Sequence, residues 1–355
     1  MRKVIIYDII GAYCGMHYYD IAFADILRKR NVDVEVYSNF CEGKNGYPRI
    51  SNIFNCGKIK GVFRLMVSYL SFLILVLSNK TSKIIYLTYG EIFELPFLFI
   101  ASFSRHTYID IHEVCALKYG DTSIVARIFR WLYGHLIRRV IYHSDRTYTI
   151  LQNSNLEKIY VPHLKYVFPK RYDEAFISKD VKECFTEEGI TKFLFFGNIS
   201  VVKGIDTILQ VFTDLCKDTD KFELVIAGKN VENMDFSTVS DKRIKIICRH
   251  INDDEMVYLY SNTDFILLPY KKSSQSGIFA MAAYFQKPMI LSDIPYFKKM
   301  IEEFPSFGIT LPIDDFKTKV ENIIKNRPHN FYSKEDCECF EMKNEMDEFV
   351  NKLIK

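Results

Sequence analysis

Two short loops in the C-terminal half carry the residue types that suit phosphate chemistry. FGNISVVKG at 196–204 follows the apolar run KFLFF, and SSQSG at 273–277 follows the apolar run FILLPY at 265–270. Each loop then runs into a sequence with helical spacing. The start of a helix offers backbone N–H groups with no intrahelical partner, and the positive end of its dipole points the same way, so an anion fits there. Gly197 and Gly204 let the first loop turn tightly, and Lys203 supplies a fixed cation. In the second loop the small polar residues of SSQSG put such unpaired N–H groups at the start of the helix that follows. Either loop alone reads equally well as a Ser/Gly-rich turn without a ligand; two of them in one half favour a shared diphosphate.

A second group of candidates lies in the N-terminal half. HTYIDIHEV at 106–114 is a strand that runs into a polar tip, and strand ends of this kind line the ligand crevice of a doubly wound sheet. His112 therefore reads as a residue for acceptor binding or proton handling, or as a histidine paired within its own loop. Gly15 and His17, in the turn after the first strand, and His163, which follows Pro162 at a strand end, are the other candidates for a second substrate. No metal site is expected. The cysteines are 9 in number, scattered, and without C-x-x-C spacing, and no D-x-D stands in a credible metal-binding loop. The same cysteine usage indicates a reducing compartment.

The elements that must position these residues are strands and helices in alternation. VIIYDII at 4–10, YYDIAFADILRKR at 18–30 and VDVEVYS at 32–38 open the chain as a strand, a helix and a strand, and KIIYLTYG at 83–90 and HTYIDIHEV continue the series. KFLFFGN, FELVIAGK, RIKIIC, FILLPY and PMILSD repeat the pattern after a polar stretch, 168–190, read as a linker and the entry to a second domain. A chain of 355 residues is too long for one core and suits two domains. VFRLMVSYLSFLILVL at 62–77 is 16 residues long and includes Arg64, short of the roughly 20 needed to span a bilayer, and reads as a buried helix or one that leans on a membrane. IVARIFRWLYGHLIRRVIY at 124–142 is amphipathic and basic, either a solvated face or a contact for an anionic membrane. With 47 Lys and Arg against 44 Asp and Glu, a net +3, a nucleic-acid protein is disfavoured. The chain starts directly in a strand, so a cytoplasmic protein is expected, associated at most with the inner face of the membrane.

Taken in order, FFGNISVVKGID, FELVIAGK, DDEMVYLYSNTDFILLPY and SSQSGIFAMAAYFQKPMILSD resemble the nucleotide-sugar domain of GT-B glycosyltransferases, above all the family 4 (group 1) retaining members of bacterial polysaccharide biosynthesis. The resemblance covers roughly residues 190–312. It implies an α/β GT-B fold of two Rossmann-like doubly wound domains facing each other across a cleft: 1–167 binding the acceptor, with a terminal helix 338–355 packed back on it, and 168–337 binding the donor. It further implies metal-independent, retaining hexosyl transfer from a nucleotide-sugar, UDP favoured over GDP, to a glycan or lipid-linked glycan, with no cofactor. Gly197, Asn198, Lys203, Gly228, Lys229, Lys271, Ser274, Gln275, Ser276 and Gly277 fall to the donor; Gly15, His17, His112 and His163 fall to the acceptor; Lys203 and His112 become the catalytic pair. The chain departs from the family at three places. Asn198 stands where an Arg is usual, and Lys271 or Lys272 is the candidate to supply that cation; Ser273 and Met281 stand where two glutamates are usual. An epimerase or hydrolase of the same fold, and a binding protein without catalysis, are the competing expectations.

Overall fold

The computed structural model describes residues 3–41, 48–54, 56–161, 168, 171–273, 275–326, 332–343 and 347–354. They form two compact units, Met1–Tyr166 with Lys343–Lys355, and Val167–Met342.

The first unit is built on six parallel strands, β1 (Lys3–Asp8), β2 (Asp33–Ser38), β3 (Lys83–Thr88), β4 (Thr107–Ile111), β5 (Arg139–Tyr142) and β6 (Glu157–Tyr160), in the order β2-β1-β3-β4-β5-β6. Every residue of β3 and β4 is buried, which is what helices on both faces of a parallel sheet require. Helix His17–Lys29 leads from β1 to β2, after which the chain returns across β1 to β3 through helix Lys58–Ser78 and then continues outward. Right-handed crossovers put His17–Lys29 on one face and Lys58–Ser78, Leu95–Ala101 and Ile124–His135 on the other. An aromatic cluster fills the space under the second face: Tyr7 to Phe72, Phe72 to Tyr86 and Tyr86 to Phe97 have centroid separations of 4.6, 5.2 and 5.2 Å. On the first face the ring of Phe349, from the terminal helix Asp347–Ile354, lies 5.8 Å from that of Phe23.

The second unit repeats the plan with β7 (Thr191–Phe196), β8 (Phe222–Gly228), β9 (Ile244–Cys248), β10 (Phe265–Leu268), β11 (Met289–Ser292) and β12 (Gly308–Leu311), in the order β12-β11-β10-β7-β8-β9. All are parallel. The polar stretch read as a linker is largely part of this unit. Arg249 binds Asp180 and the buried Glu255, Ser178 donates to the same Glu255, and Tyr284 Oη donates to the Phe168 carbonyl at 2.6 Å.

Three expectations change. The apolar helix is longer than its sequence window, 21 residues from Lys58 to Ser78, and it is not buried: only Ser68, Phe72, Leu75 and Val76 face inward. Ile59, Val62, Phe63, Met66, Leu70, Ile74 and Leu77 are exposed. Among the described residues it is the one helix long and apolar enough to cross a membrane, with a mean hydropathy of 1.9, yet its inner stripe belongs to the core of the sheet. The basic run 124–142 is not one helix, because it ends at His135 and Arg139 opens β5, where the β-branched pair Val140-Ile141 is buried between β4 and β6. The strand β12 has no counterpart in the sequence reading.

A buried carboxyl closes the end of β3. Glu94 is wholly enclosed and accepts the N–H groups of Tyr89 at 3.0 Å and Glu91 at 2.8 Å. Burial pushes its acid up to about 8, with repulsion from Asp8 and Glu91 adding to the effect and the two amides opposing it. A raised pKa means the fold holds a proton that the unfolded chain releases earlier, so this contribution is complete below the ordinary carboxylate range and vanishes as pH rises through 8. Glu94→Gln, which keeps an acceptor oxygen without an ionisable proton, is expected to lose less stability than the parent chain between pH 5 and pH 9, by roughly 2–4 kcal/mol. Parallel denaturation curves for the two proteins across that range would show that Glu94 is ionised in the fold.

Candidate functional site

The order of strands in the second unit reverses between β7 and β10. β8 and β9 continue to one side of β7, while β11 and β12 continue to the other side of β10. Loops that leave adjacent strands toward opposite faces open a crevice at the carboxyl edge, where ligands of doubly wound sheets bind. The loops 197–204 and 269–277 are the two that start there.

Their contacts lock them together. The Lys271 N–H donates to the Val202 carbonyl at 2.9 Å. Gly204 has φ +75°, and a Cβ there would stand 2.0 Å from the Pro269 carbonyl oxygen, so no side chain fits. Gly228 meets Gly197 in the same way, with a Cβ 1.8 Å from its oxygen, and the Ile199 N–H donates to the Lys229 carbonyl at 2.9 Å. The loop after β8 is thereby joined to the loop after β7.

Lys203 extends its ammonium over the ring of Tyr270, 3.7 Å from the centroid. Tyr270 is itself buried, which raises its phenol, and it shares a hydrogen bond with Ser276 that opposes the rise. Ser276 caps helix Gly277–Tyr284, its Oγ accepting from the Phe279 N–H at 3.2 Å. The amides of Gly277 and Ile278 stand at the helix start, where no intrahelical acceptor exists for them. One aromatic ring thus joins the cation of the first loop to the helix start of the second.

The other donor candidates divide. Asn198 and Lys229 are exposed at the ends of their strands. The backbone oxygen of Gln275 accepts from Ser273 Oγ at 2.7 Å, which shapes the loop. Ser274 lies outside the described residues. Lys271 does not serve as a reserve cation, because its ammonium is paired with Asp206 in the first turn of helix Ile205–Asp218. A carboxylate that sequence reasoning missed also reaches this edge, since Glu232 accepts the Val201 N–H at 2.9 Å. Met281, at one lost glutamate position, is buried in the apolar body of its helix, so nothing polar replaces that glutamate.

In the first unit the candidates collect at the carboxyl edge of the sheet. Gly15, at φ +74°, ends the turn after β1, and His17 opens helix His17–Lys29 with its ring 3.9 Å from that of Tyr18. His112 follows β4, donates its N–H to the Thr88 carbonyl at 3.0 Å, and is buried. Its ring stacks on Tyr89 at 5.1 Å, meets Tyr19 edge-on at 4.6 Å, and lies 4.9 Å from His143. His163 lies outside the described residues.

Around His112 the structure assembles groups not anticipated. Asp110 accepts from Tyr19 Oη at 2.7 Å and faces His143 Nε2 at 2.6 Å, while His143 Nδ1 faces the Val161 carbonyl at 2.9 Å. Burial alone lifts the Asp110 carboxyl, but the His143 charge and hydrogen bond, with His112 and Tyr19, outweigh it and hold it below the carboxylate range. Burial lowers His143, and Asp110 and Val161 more than offset it. Asp8, also buried, accepts from the Ile10 N–H at 2.8 Å and from Tyr89 Oη at 2.9 Å. The signal for these groups was present: a polar residue interrupts each apolar run at its carboxyl end, in VIIYD, TYID and VIYH. Asp110, His112 and His143 also bring three metal-ligating atoms within 4.8 Å of one another, a grouping that no spacing rule exposes.

Comparison with known proteins gives a family match in the second unit and a shared fold. Residues 178–337 match the family model described as "Glycosyl transferases group 1". No curated protein matches the chain. Among solved structures, the sucrose-phosphate synthase of Thermosynechococcus elongatus is similar over 99% of this chain and 97% of its own, with a TM-score of 0.72 at 12% identity. WaaG, a glycosyltransferase involved in lipopolysaccharide biosynthesis, is similar over 99% of both chains, with a TM-score of 0.63 at 11% identity. Anabaena HepE, crystallised with UDP and glucose, is similar over 100% of this chain and 98% of its own, with a TM-score of 0.60 at 11% identity. At such low identity these likenesses establish a shared fold of two Rossmann-like units. The stretch that matches the family model, residues 178–337, lies within the second compact unit.

Proposed function

We propose that the chain moves a hexose from a UDP-sugar to a lipid-linked glycan acceptor in surface polysaccharide synthesis, with retention at the anomeric carbon. The observation that carries this reading is the junction of Lys203, Tyr270 and the helix start at Gly277 at the strand-order reversal. Breaking a sugar–phosphate bond gathers negative charge on the departing diphosphate. An ammonium and helix-start amides fixed beforehand in a half-buried site stabilise that charge more than the ground state, and the step needs no metal. Lys203 is the leaving-group residue in this scheme; Gly197, Gly228 and Gly204 let the backbone come close. UDP is favoured because HepE was crystallised with it, and retention follows from the resemblance to family 4. The glycan reading draws on the likeness to WaaG. The acceptor is assigned to the edge of the first unit that holds Gly15, His17 and His112.

A panel of UDP- and GDP-sugars, assayed for nucleotide release with and without a lipid-linked glycan, tests the reaction. Release that needs acceptor supports transfer, release without acceptor supports hydrolysis, and binding without turnover supports the non-catalytic reading that the losses at Ser273 and Met281 favour. Lys203→Ala is expected to weaken UDP binding about 10- to 100-fold, the value of a charge-assisted contact. An unchanged dissociation constant in calorimetry would remove Lys203 from the donor site.

The outer face of the first unit supports the lipid-linked acceptor and a position at the cytoplasmic side of a membrane. Helix Lys58–Ser78 packs beside Leu95–Ala101, and Leu95–Ala101 beside Ile124–His135. Phe63 and Met66 on the first, Phe99 and nearby Phe103 on the second, and Ile124 and Trp131 on the third are all exposed. Helices Lys58–Ser78 and Ile124–His135 carry Lys58, Lys60, Arg64, Arg127 and Arg130 and no acidic residue. A second copy of the chain would oppose cation to cation across this face, whereas anionic lipid complements both its charge and its apolar surface. Co-flotation with phosphatidylglycerol-rich vesicles is expected, reduced at least fivefold in Phe63→Glu/Trp131→Glu and weakened when phosphatidylcholine replaces the anionic lipid. A parent chain that stays at the bottom of the gradient with both vesicle types contradicts the membrane reading and leaves the sugar chemistry standing.

A further inference from the structure

We propose that Asp110, His112 and His143 form a binding site for a divalent transition-metal ion, zinc first among them, at the ligand edge of the first unit. Their ligating atoms lie within 4.8 Å of one another, and all three residues are buried. Two imidazoles and one carboxylate make a borderline nitrogen and oxygen set, which suits zinc and its first-row neighbours, whereas magnesium and calcium prefer oxygen alone.

The surroundings have the form that orients metal ligands. The Val161 carbonyl can only accept, so His143 carries its hydrogen on Nδ1, 2.9 Å away, and aims Nε2 at Asp110 Oδ1 at 2.6 Å. Tyr19 Oη donates to the other Asp110 oxygen at 2.7 Å and stands 3.4 Å from His143 Nε2, so it braces both ligands from outside. Metal-bound histidines and carboxylates are oriented by such outer partners. The ligands also sit on rigid elements: Asp110 pairs in register with Ile141 and Ile111 with Tyr142, so residues 110, 112 and 143 are fixed by two neighbouring strands. Ligand atoms about 2.0–2.1 Å from a tetrahedral zinc stand roughly 3.3 Å apart, so a spread of less than an ångström between Asp110 and His143 admits the ion. The metal takes the place of the proton that otherwise bridges that pair, and the proton leaves to solvent. Its consequence is mechanical, since it fixes the ring of His112, which stacks on Tyr89. The site stands on this geometry and holds whether or not the chain transfers sugar.

The test uses the full chain, freed of any affinity tag, stripped with a chelator, dialysed, and titrated with Zn²⁺ or Co²⁺ alone. One equivalent of zinc by elemental analysis is expected, with visible Co²⁺ d–d bands of four- or five-coordinate intensity and no thiolate charge-transfer band. ¹¹³Cd NMR is expected to give a shift of nitrogen and oxygen ligation. His112→Gln and His143→Gln are each expected to weaken Co²⁺ binding at least 100-fold, and Tyr19→Phe about 10-fold, as outer-shell partners do. Retention of under a tenth of an equivalent, a thiolate signature, or undiminished binding in folded His143→Gln overturns the proposal. If a histidine variant fails to fold, the cadmium shift of the parent chain and the Tyr19→Phe titration still decide.

Discussion

The backbone-to-backbone approach of Gly204 and Pro269 is the constraint on which the carboxyl edge of the second sheet depends. Two loops that leave neighbouring strands toward opposite faces of a sheet diverge by default. Here they are held in contact at the reversal of strand order, because a residue without a side chain lets one loop rest on a carbonyl of the other. The Lys271 N–H to Val202 bond and the cation over Tyr270 follow from that contact. Gly228 against Gly197 applies the same device one strand further on. In the proposed donor site one ammonium and a helix start would supply the chemistry, but glycines set their alignment.

The first unit solves a different problem at its own edge. There, carboxyl groups are buried, and an isolated buried charge is costly unless it is paired and hydrogen-bonded or neutralised by a proton. Asp110 is matched by His143 and Tyr19, whereas burial pushes the acids of Glu94 and Asp8 up, against two amides on Glu94 and against Tyr89 and the Ile10 N–H on Asp8. Concentrating such groups at the carboxyl ends of β1, β3, β4 and β5 gives up stability at the edge where a ligand of a doubly wound sheet would bind. Tyr89 links the parts, since its hydroxyl reaches Asp8 and its ring covers His112.

Much of this architecture was legible in the sequence because its strands are apolar on both faces and its helices are not. KFLFF, FELVIAG and FILL read as parallel strands covered on both sides, and their order placed the loops at 197 and 273 at one edge of the sheet. What escaped has identifiable causes. β12 is four residues, Gly308–Leu311, and its first residue is there because a Cβ would stand 2.2 Å from the Met289 oxygen, a tertiary reason that no local pattern carries. The run 124–142 keeps a basic, apolar character through a change from helix to strand, so composition hid the boundary at 136–138. The pairing of Lys271 with Asp206 spans 65 positions and depends on two loops meeting, and the junction of Asp110 with His143 depends on strand order.

Helix Lys58–Ser78 shows why apolar content and burial must be argued separately. Its sequence is apolar nearly all round, which by itself describes a helix at the centre of a large core or in lipid. The sheet can cover only one stripe, and Phe72 and Val76 use it; Leu95–Ala101 covers part of one flank. The remaining apolar surface therefore exceeds what this unit can bury. Selection for solubility alone would have placed acidic and polar residues there, as it did on helix Asp253–Asn262, whose first turn holds Asp253, Asp254 and Glu255. On Lys58–Ser78 the only charges are Lys58, Lys60 and Arg64, all in its first two turns, and the two lysines are exposed. Cations confined to one end of an apolar cylinder match the membrane contact proposed above, in which the lysines would meet headgroups and Phe63, Met66 and Leu70 would reach below them.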